Sequence, residues 1–311
     1  MSAASTAATP QTRSGIATLV SDYAVLMKTR VTSLVMMTAW CGYYLGSAKT
    51  GVSSLNWGLL HAVLGIGLVS GGAAALNQVM ERDLDALMLR TAARPLPMGR
   101  MSARSATWLG FATIAAGVLY LGLATNWLAG ILAALTAAAY AGAYTPLKRH
   151  STICTFVGAF PGAMPPVLGW VAARGSLGWE PAILFAIVFA WQFPHFHSIA
   201  WLYREDYLRA RIRMLAVMDE GGRATLRQII GYGALLVPIS MAPYWMHMAG
   251  RTYLIGAFAL SAAFLYFGVR LATLGMRPAE ARSKPRARHL LQASVFYLPL
   301  LFALMILNPA K

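Results

Sequence analysis

Long apolar runs alternate along the chain with short polar connections, a spacing that predicts an all-α, polytopic membrane protein. About nine runs approach the roughly 20 residues needed to cross the hydrocarbon of a bilayer. They cover 31–47, 57–76, 106–124, 127–144, 153–172, 181–201, 229–246, 253–271 and 290–307. The second run carries Gly65, Gly67, Gly71 and Gly72, small residues that let membrane helices approach closely. The third and fourth are rich in Ala and Gly and are joined by only a few residues, which predicts a tight hairpin. The fifth holds Pro161, Pro165 and Pro166, which mark a kink near a cavity.

Polar residues interrupt this pattern at three places, and each is a candidate for chemistry. The second run ends in NQVMERDLDALMLRTAARPLP, residues 77–97. Helical spacing puts Asn77, Glu81 and Asp85 at i, i+4 and i+8 on one face, a column of oxygen ligands, with Asp83 elsewhere on the wheel. Mg²⁺ prefers oxygen ligands and commonly takes one or two carboxylates plus substrate phosphates. Arg90 and Arg94, one turn apart, are placed to clamp phosphate oxygens from the side. A charged cap at a membrane helix end has the same spacing, so spacing alone leaves both readings open. The fourth run ends in Tyr140 and Tyr144, again one turn apart, followed by Lys148 and Arg149; these are either diphosphate contacts or interfacial anchors. The sixth run contains Gln192, His195 and His197, and continues into Arg204, Glu205, Asp206 and Tyr207. Polar groups inside a span are costly, which makes them functional candidates.

Composition supports the membrane reading. Of the 311 residues, 58% are hydrophobic and 12% charged, about half the charged fraction of a soluble domain. The net charge of +16 raises nucleic acid as a partner, but the distribution of charge argues against it. With the N-terminus inside, every Lys and Arg except Lys49, Arg174, Arg251 and Lys311 falls on the inner side, the asymmetry that fixes orientation. All acids except Glu180 fall on that side too, which the orientation rule does not require and which points to a site there. Cys41 and Cys154 lie in or beside apolar runs and form no paired motif, so neither a disulfide framework nor a Zn site is expected. Residues 1–20 are read as a disordered tail, with a short mitochondrial presequence as the alternative, and 21–311 as one intramembrane domain. The second and sixth runs both end inside in carboxylates. Four spans separate them, which predicts a parallel pseudo-repeat of helices 1–4 and 5–8 with the ninth added. The basic loop 277–288 suits an anionic lipid surface.

Four strings in this order, Asn77-Gln-x-x-Glu81-x-x-x-Asp85 with Met88-x-Arg90-Thr91-x-x-Arg94-Pro95-Leu96, Tyr144-Thr-Pro-Leu-Lys148-Arg149, Trp191-Gln-Phe-Pro-His195-Phe and Glu205-Asp206-Tyr207, resemble the haem-farnesylating branch of the UbiA-type intramembrane prenyltransferases. The resemblance runs from about residue 22 to the C-terminus. It implies nine helices in a ring around a lipid-open cavity, Mg²⁺-bound farnesyl diphosphate as donor, haem b as acceptor, and haem O plus diphosphate as products. The charge asymmetry puts the site on the cytoplasmic side, and the short N-terminal tail favours a bacterial inner membrane, the mitochondrial inner membrane being the second choice. Haem O is the precursor of haem A, so haem A synthase is an implied partner. Asn77, Glu81 and Asp85 match the first acidic motif, with Glu81 where many relatives have Asp. The second motif of the wider superfamily, two Asp four apart, is replaced by Tyr203 and Tyr207, which leaves Glu205, Asp206, His195 and His197 as candidates, Asp206 for the metal and the histidines for haem iron or for orienting water. Trp191, Phe193 and Phe196 are candidates to steady an allylic cation. Thr29 stands where a Pro is usual, and Arg211 and Arg213 stand where Gly and Pro are frequent. Two rivals remain. A prenyltransferase acting on a quinone precursor would keep both Asp-rich motifs. A secondary transporter would place its polar site near the bilayer midplane.

Overall fold

The computed structural model describes residues 15–48, 56–273 and 277–310, which contain helices and connections and no strand. The helices are α1 (Gly15–Leu26), α2 (Thr29–Ala48), α3 (Trp57–Asp85), α4 (Ala103–Ala124), α5 (Trp127–Ala138), α6 (Cys154–Arg174), α7 (Trp179–Leu202), α8 (Arg204–Arg209), α9 (Leu215–Met218), α10 (Arg223–Trp245), α11 (Arg251–Ala272) and α12 (Lys284–Leu307). The segment expected as a disordered tail lies mainly outside the described residues, and its last part, from Gly15, begins α1. Lys49 and Lys311, expected on the outer side, also lie outside the described residues.

Among the described residues, seven helices are both long and apolar enough to cross a membrane. The sequence pattern led us to expect about nine. The other two long helices, α2 at 20 residues and α10 at 23, miss that standard. Helix α2 begins Thr-Arg-Val-Thr-Ser, and α10 carries Arg227, Gln228, Pro238 and Pro243.

Side-chain caps set several helix starts. Asn56, Ser102 and Asn126 accept backbone N–H bonds at the N-termini of α3, α4 and α5. Helix α6 ends at Gly175, whose φ of +67° suits a glycine stop. Packing is tightest where α2 crosses α6: a Cβ on Gly42 would overlap the Pro166 carbonyl, and one on Gly169 would overlap that of Ala39. A large apolar core, including Tyr43, Trp170, Leu184, Tyr253, Tyr297 and Phe302, fills the space among α2, α6, α7, α11 and α12.

Two irregular features position the polar residues. Helix α5 passes into a π-helical turn, Ala139–Tyr144, before a last turn at Thr145–Leu147. Such a bulge shifts side-chain register and frequently accompanies a functional site. The loop after α3 folds back on itself: Thr91 Oγ1 donates to the Asp85 carbonyl at 2.9 Å. Met88 is buried in a cluster with Tyr207, Ile212 and Met214.

Candidate active site

The last nine residues of α3 carry Asn77, Glu81 and Asp85, all buried. Each faces a cation from another part of the chain. Lys28 Nζ donates to Asn77 Oδ1 at 2.6 Å, Lys148 Nζ to Glu81 Oε1 at 2.7 Å, and Arg94 Nη1 to Asp85 Oδ2 at 2.7 Å. The Asp85 side chain is 1% exposed, and its Oδ1 has no donor among the described residues. Asn77 Nδ2 donates to Thr145 Oγ1 at 3.1 Å, and Thr145 donates to the Tyr140 carbonyl, so the π-turn is tied directly to the column. The Lys148 ammonium also lies 4.5 Å from the centre of the Tyr144 ring. Burial lowers the pKa of Lys148, but the facing Tyr144 and Glu81 outweigh it and hold the ammonium well above the ordinary lysine value.

A second cluster closes over the first from α7 and α8. Asp206 is buried, accepts the Leu89 N–H at 3.3 Å and pairs with Arg209. Arg90 Nη2 donates to the Tyr207 hydroxyl at 3.1 Å, with its guanidinium 5.2 Å from the Tyr207 ring centre and 5.6 Å from that of Tyr203. The two tyrosines at the spacing of a second acidic motif thus hold an arginine between them. Glu205 points away and is half exposed, paired with Lys284 at 3.0 Å. Burial raises the Glu205 carboxyl, but Lys284, a backbone hydrogen bond and the Arg204 charge together outweigh it and hold the group below the usual carboxylate range.

The structure brings Asn77, Glu81, Asp85, Arg94, Tyr144 and Lys148 together at one end of the bundle, with Arg90 and Asp206 beside them. Asp206, expected as a metal ligand, spends its Oδ1 on Arg209 and Leu89. No three His, Cys, Asp or Glu side chains gather closely enough to hold a metal by themselves among the described residues. The histidines lie higher on α7 and turn to other helices, His195 to Ser294 on α12 and His197 to Gln228 on α10. Gln192 serves packing: its amide donates to the carbonyls of Ala159 and Val188. Phe193 is buried, stacked on Tyr232 with centroids 3.6 Å apart, which removes it from the aromatic faces open to a cavity. The sequence pattern does not mark Lys28 or Thr145 as contact residues, whereas Tyr207 stands out beside Glu205 and Asp206 and at the place of the second motif.

The donor set fits a hard divalent ion. It offers carboxylate and amide oxygens without sulfur or imidazole, and two carboxylates suffice when substrate phosphates complete the shell. Glu81, Asp85 and Asn77 would hold such an ion; Lys28, Lys148 and Arg94 donate to those same side chains, and Arg90 donates to Tyr207. An apolar cavity of about 680 Å³, lined by Met36, Met37, Trp40, Trp57, Leu60 and Val63, lies toward the opposite end of α3 from this cluster.

Residues 34–304 of this helical bundle match the UbiA prenyltransferase family, to which the chain belongs, so the buried carboxylate column faced by cations lies in an intramembrane prenyltransferase. Within it, the chain is 54% identical to the protoheme IX farnesyltransferase of Koribacter versatilis, over 95% of this chain and 96% of the relative. It is 47% identical to that of Solibacter usitatus, over 92% and 98%. The fold is that of a solved digeranylgeranylglyceryl phosphate synthase (TM-score 0.74, 18% identity, 93% of this chain and 98% of the other). It is also that of a UbiA homolog from Archaeoglobus fulgidus bound to DMAPP and Mg²⁺ (TM-score 0.60, 19% identity, 91% and 99%).

Proposed function

We propose that this chain transfers the farnesyl group of farnesyl diphosphate to a vinyl group of haem b, with addition of water, to give haem O and diphosphate. The observation that carries the reading is the buried Asn77–Glu81–Asp85 column faced by Lys28, Lys148 and Arg94, in a chain more than half identical over nearly its whole length to a named protoheme IX farnesyltransferase.

Mg²⁺ held by Asn77, Glu81 and Asp85 would supply positive charge to stabilise the departing diphosphate. The chain's own residues do the remainder. Glu81 and Asp85 would act on the diphosphate only through that ion, and Lys28, Arg94, Arg90 and Lys148 turn from protein oxygens to phosphate oxygens as the donor enters. Release of the four cations from their resting partners is the electrostatic change that accompanies substrate entry. The C–O bond of the donor breaks, and the electron pair goes to the diphosphate. The vinyl π pair of haem then bonds the farnesyl carbon, and water adds to the resulting cation and loses a proton. Half-buried Trp191 and Phe196 supply aromatic faces on α7 for the cationic species.

The basic asymmetry supports a cytoplasmic N-terminus and a cytoplasmic-facing site in a bacterial inner membrane. The pairing of α2 with α6, the first long helices of the two halves, is consistent with a parallel pseudo-repeat. The test is a product assay: purified protein with haem b, farnesyl diphosphate and Mg²⁺, extracted haems resolved by mass. A farnesylated, hydrated haem that disappears with EDTA supports the reading. Prenylation of an aromatic acid with no haem product overturns it.

A further inference from the structure

Two histidines sit one helical half-turn apart on α7, and their hydrogen bonds separate their roles. His195 Nδ1 lies 2.7 Å from Ser294 Oγ. That hydroxyl donates its one proton to the Leu291 carbonyl at 2.6 Å, so toward the imidazole it can only accept. His195 therefore carries its proton on Nδ1, and Nε2 presents a bare lone pair. Nε2 has no hydrogen-bond partner among the described residues and, unlike the sealed His197 Nδ1, keeps accessible surface. The ring is also fixed in orientation: it stacks on Trp191, centroids 4.6 Å apart and planes 20° from parallel. The Trp191 indole N–H in turn donates to the Ser294 carbonyl at 2.8 Å. One buried serine thus holds both rings.

His197 has the opposite arrangement. Its Nε2 is spent on Gln228 Oε1 at 2.7 Å, its side chain is wholly buried, and its remaining nitrogen, Nδ1, is enclosed without a partner. No bulky planar ligand can reach that nitrogen.

A histidine that coordinates a metal almost always donates its other ring N–H to a second group, which fixes tautomer and orientation. Neutral imidazole Nε2 is among the commonest metal ligands. We infer that His195 binds the iron of the haem substrate through Nε2, positioned by Ser294 and Trp191, and that His197 is a packing residue of the α7–α10 contact. This inference rests on haem as the acceptor. Iron ligation would set the macrocycle's distance from the carboxylate column and so select which edge meets the farnesyl carbon.

The test titrates ferric haem b into the full chain in detergent and follows the Soret band and the low-temperature electron paramagnetic resonance spectrum. Wild type is expected to give a nitrogen-ligated spectrum distinct from haem in the same micelles. His195→Ala should lose that spectrum, bind haem at least about tenfold more weakly, and regain the spectrum with added imidazole. Ser294→Ala should weaken haem about tenfold while keeping the ligand signature. His197→Ala should keep wild-type spectrum and affinity. Metal-free protoporphyrin IX should bind wild type and His195→Ala alike, because it offers no iron. An unchanged spectrum in His195→Ala, loss of the signature in His197→Ala, or equal weakening for haem and metal-free porphyrin overturns the inference. The product assay on the same samples separates the two levels. Wild type that farnesylates haem while its spectrum ignores His195→Ala refutes the ligand alone; wild type that neither shifts the Soret band nor makes a haem product refutes the function as well.

Discussion

Lys148→Met is the perturbation that best probes the electrostatics of the carboxylate column. The Lys148–Glu81 contact is 2.7 Å long, with side-chain exposures of 14% and 9%. At an effective dielectric constant of about 20, two unit charges at that distance attract by about 6 kcal/mol before desolvation is subtracted. Removing one partner of such a buried pair typically costs about 3–5 kcal/mol, because the other charge is left uncompensated. In metal-free buffer the variant should therefore unfold on the order of 5–10 °C below wild type, followed by a thermal shift assay in detergent. Glu81→Gln combined with Lys148→Met should recover most of the loss, since no charge is then stranded. Mg²⁺ with diphosphate should narrow the gap between Lys148→Met and wild type, because a divalent ion at Glu81 supplies the missing positive charge. Equal unfolding temperatures of Lys148→Met and wild type without metal, or a gap that Mg²⁺ and diphosphate leave unchanged, would refute the reasoning.

Other expectations follow from particular contacts. Tyr207→Phe keeps the ring against Arg90 and loses the 3.1 Å hydrogen bond, so KM for farnesyl diphosphate should rise a few-fold; Tyr207→Ala loses both, and the rise should reach about tenfold or more in steady-state kinetics. Arg211 has a φ of +54°, a backbone region that costs a residue with a Cβ about 1–2 kcal/mol; Arg211→Gly should raise the thermal unfolding midpoint, and an unchanged midpoint would count against strain there. Gly42→Val should collide with the Pro166 carbonyl and cost at least about 2–3 kcal/mol, visible as loss of monodisperse protein on detergent extraction, whereas Gly15→Val meets open space and should be silent.

How much of this was legible in the sequence depends on the range of the interaction. The column of Asn77, Glu81 and Asp85 is a local pattern on one helix, and periodicity alone aligned it. Its counter-charges are not local: Lys28 meets Asn77 across 49 positions and Lys148 meets Glu81 across 67. A lysine at a helix end carries the same signal whether it anchors the helix to the interface or faces a carboxylate, so the sequence pattern does not mark Lys28 as a partner of Asn77. Thr145 and Ser294 gave no signal, since their roles arise from a π-turn and from a helix 99 positions away. The departures from the family pattern acquire physical meaning only in three dimensions. Arg211 sits where the backbone is left-handed, so the glycine frequent at that place is the unstrained choice. Arg213 donates its N–H to the Lys148 carbonyl at 2.9 Å, a bond a proline could not make. Two of the nine expected runs, α2 and α10, are long helices of lower hydropathy than the other seven: α2 begins with polar residues, and α10 carries Arg227, Gln228, Pro238 and Pro243.

The measurement closest to the central claim is metal binding at the column. Mn²⁺ can stand in for Mg²⁺ and be counted by electron paramagnetic resonance in the full-length protein, with and without farnesyl diphosphate. Wild type should bind Mn²⁺ tightly when the diphosphate is present, and Asp85→Asn should lose that binding while remaining folded. Retention of wild-type Mn²⁺ binding by Asp85→Asn would place the metal elsewhere and contradict the account.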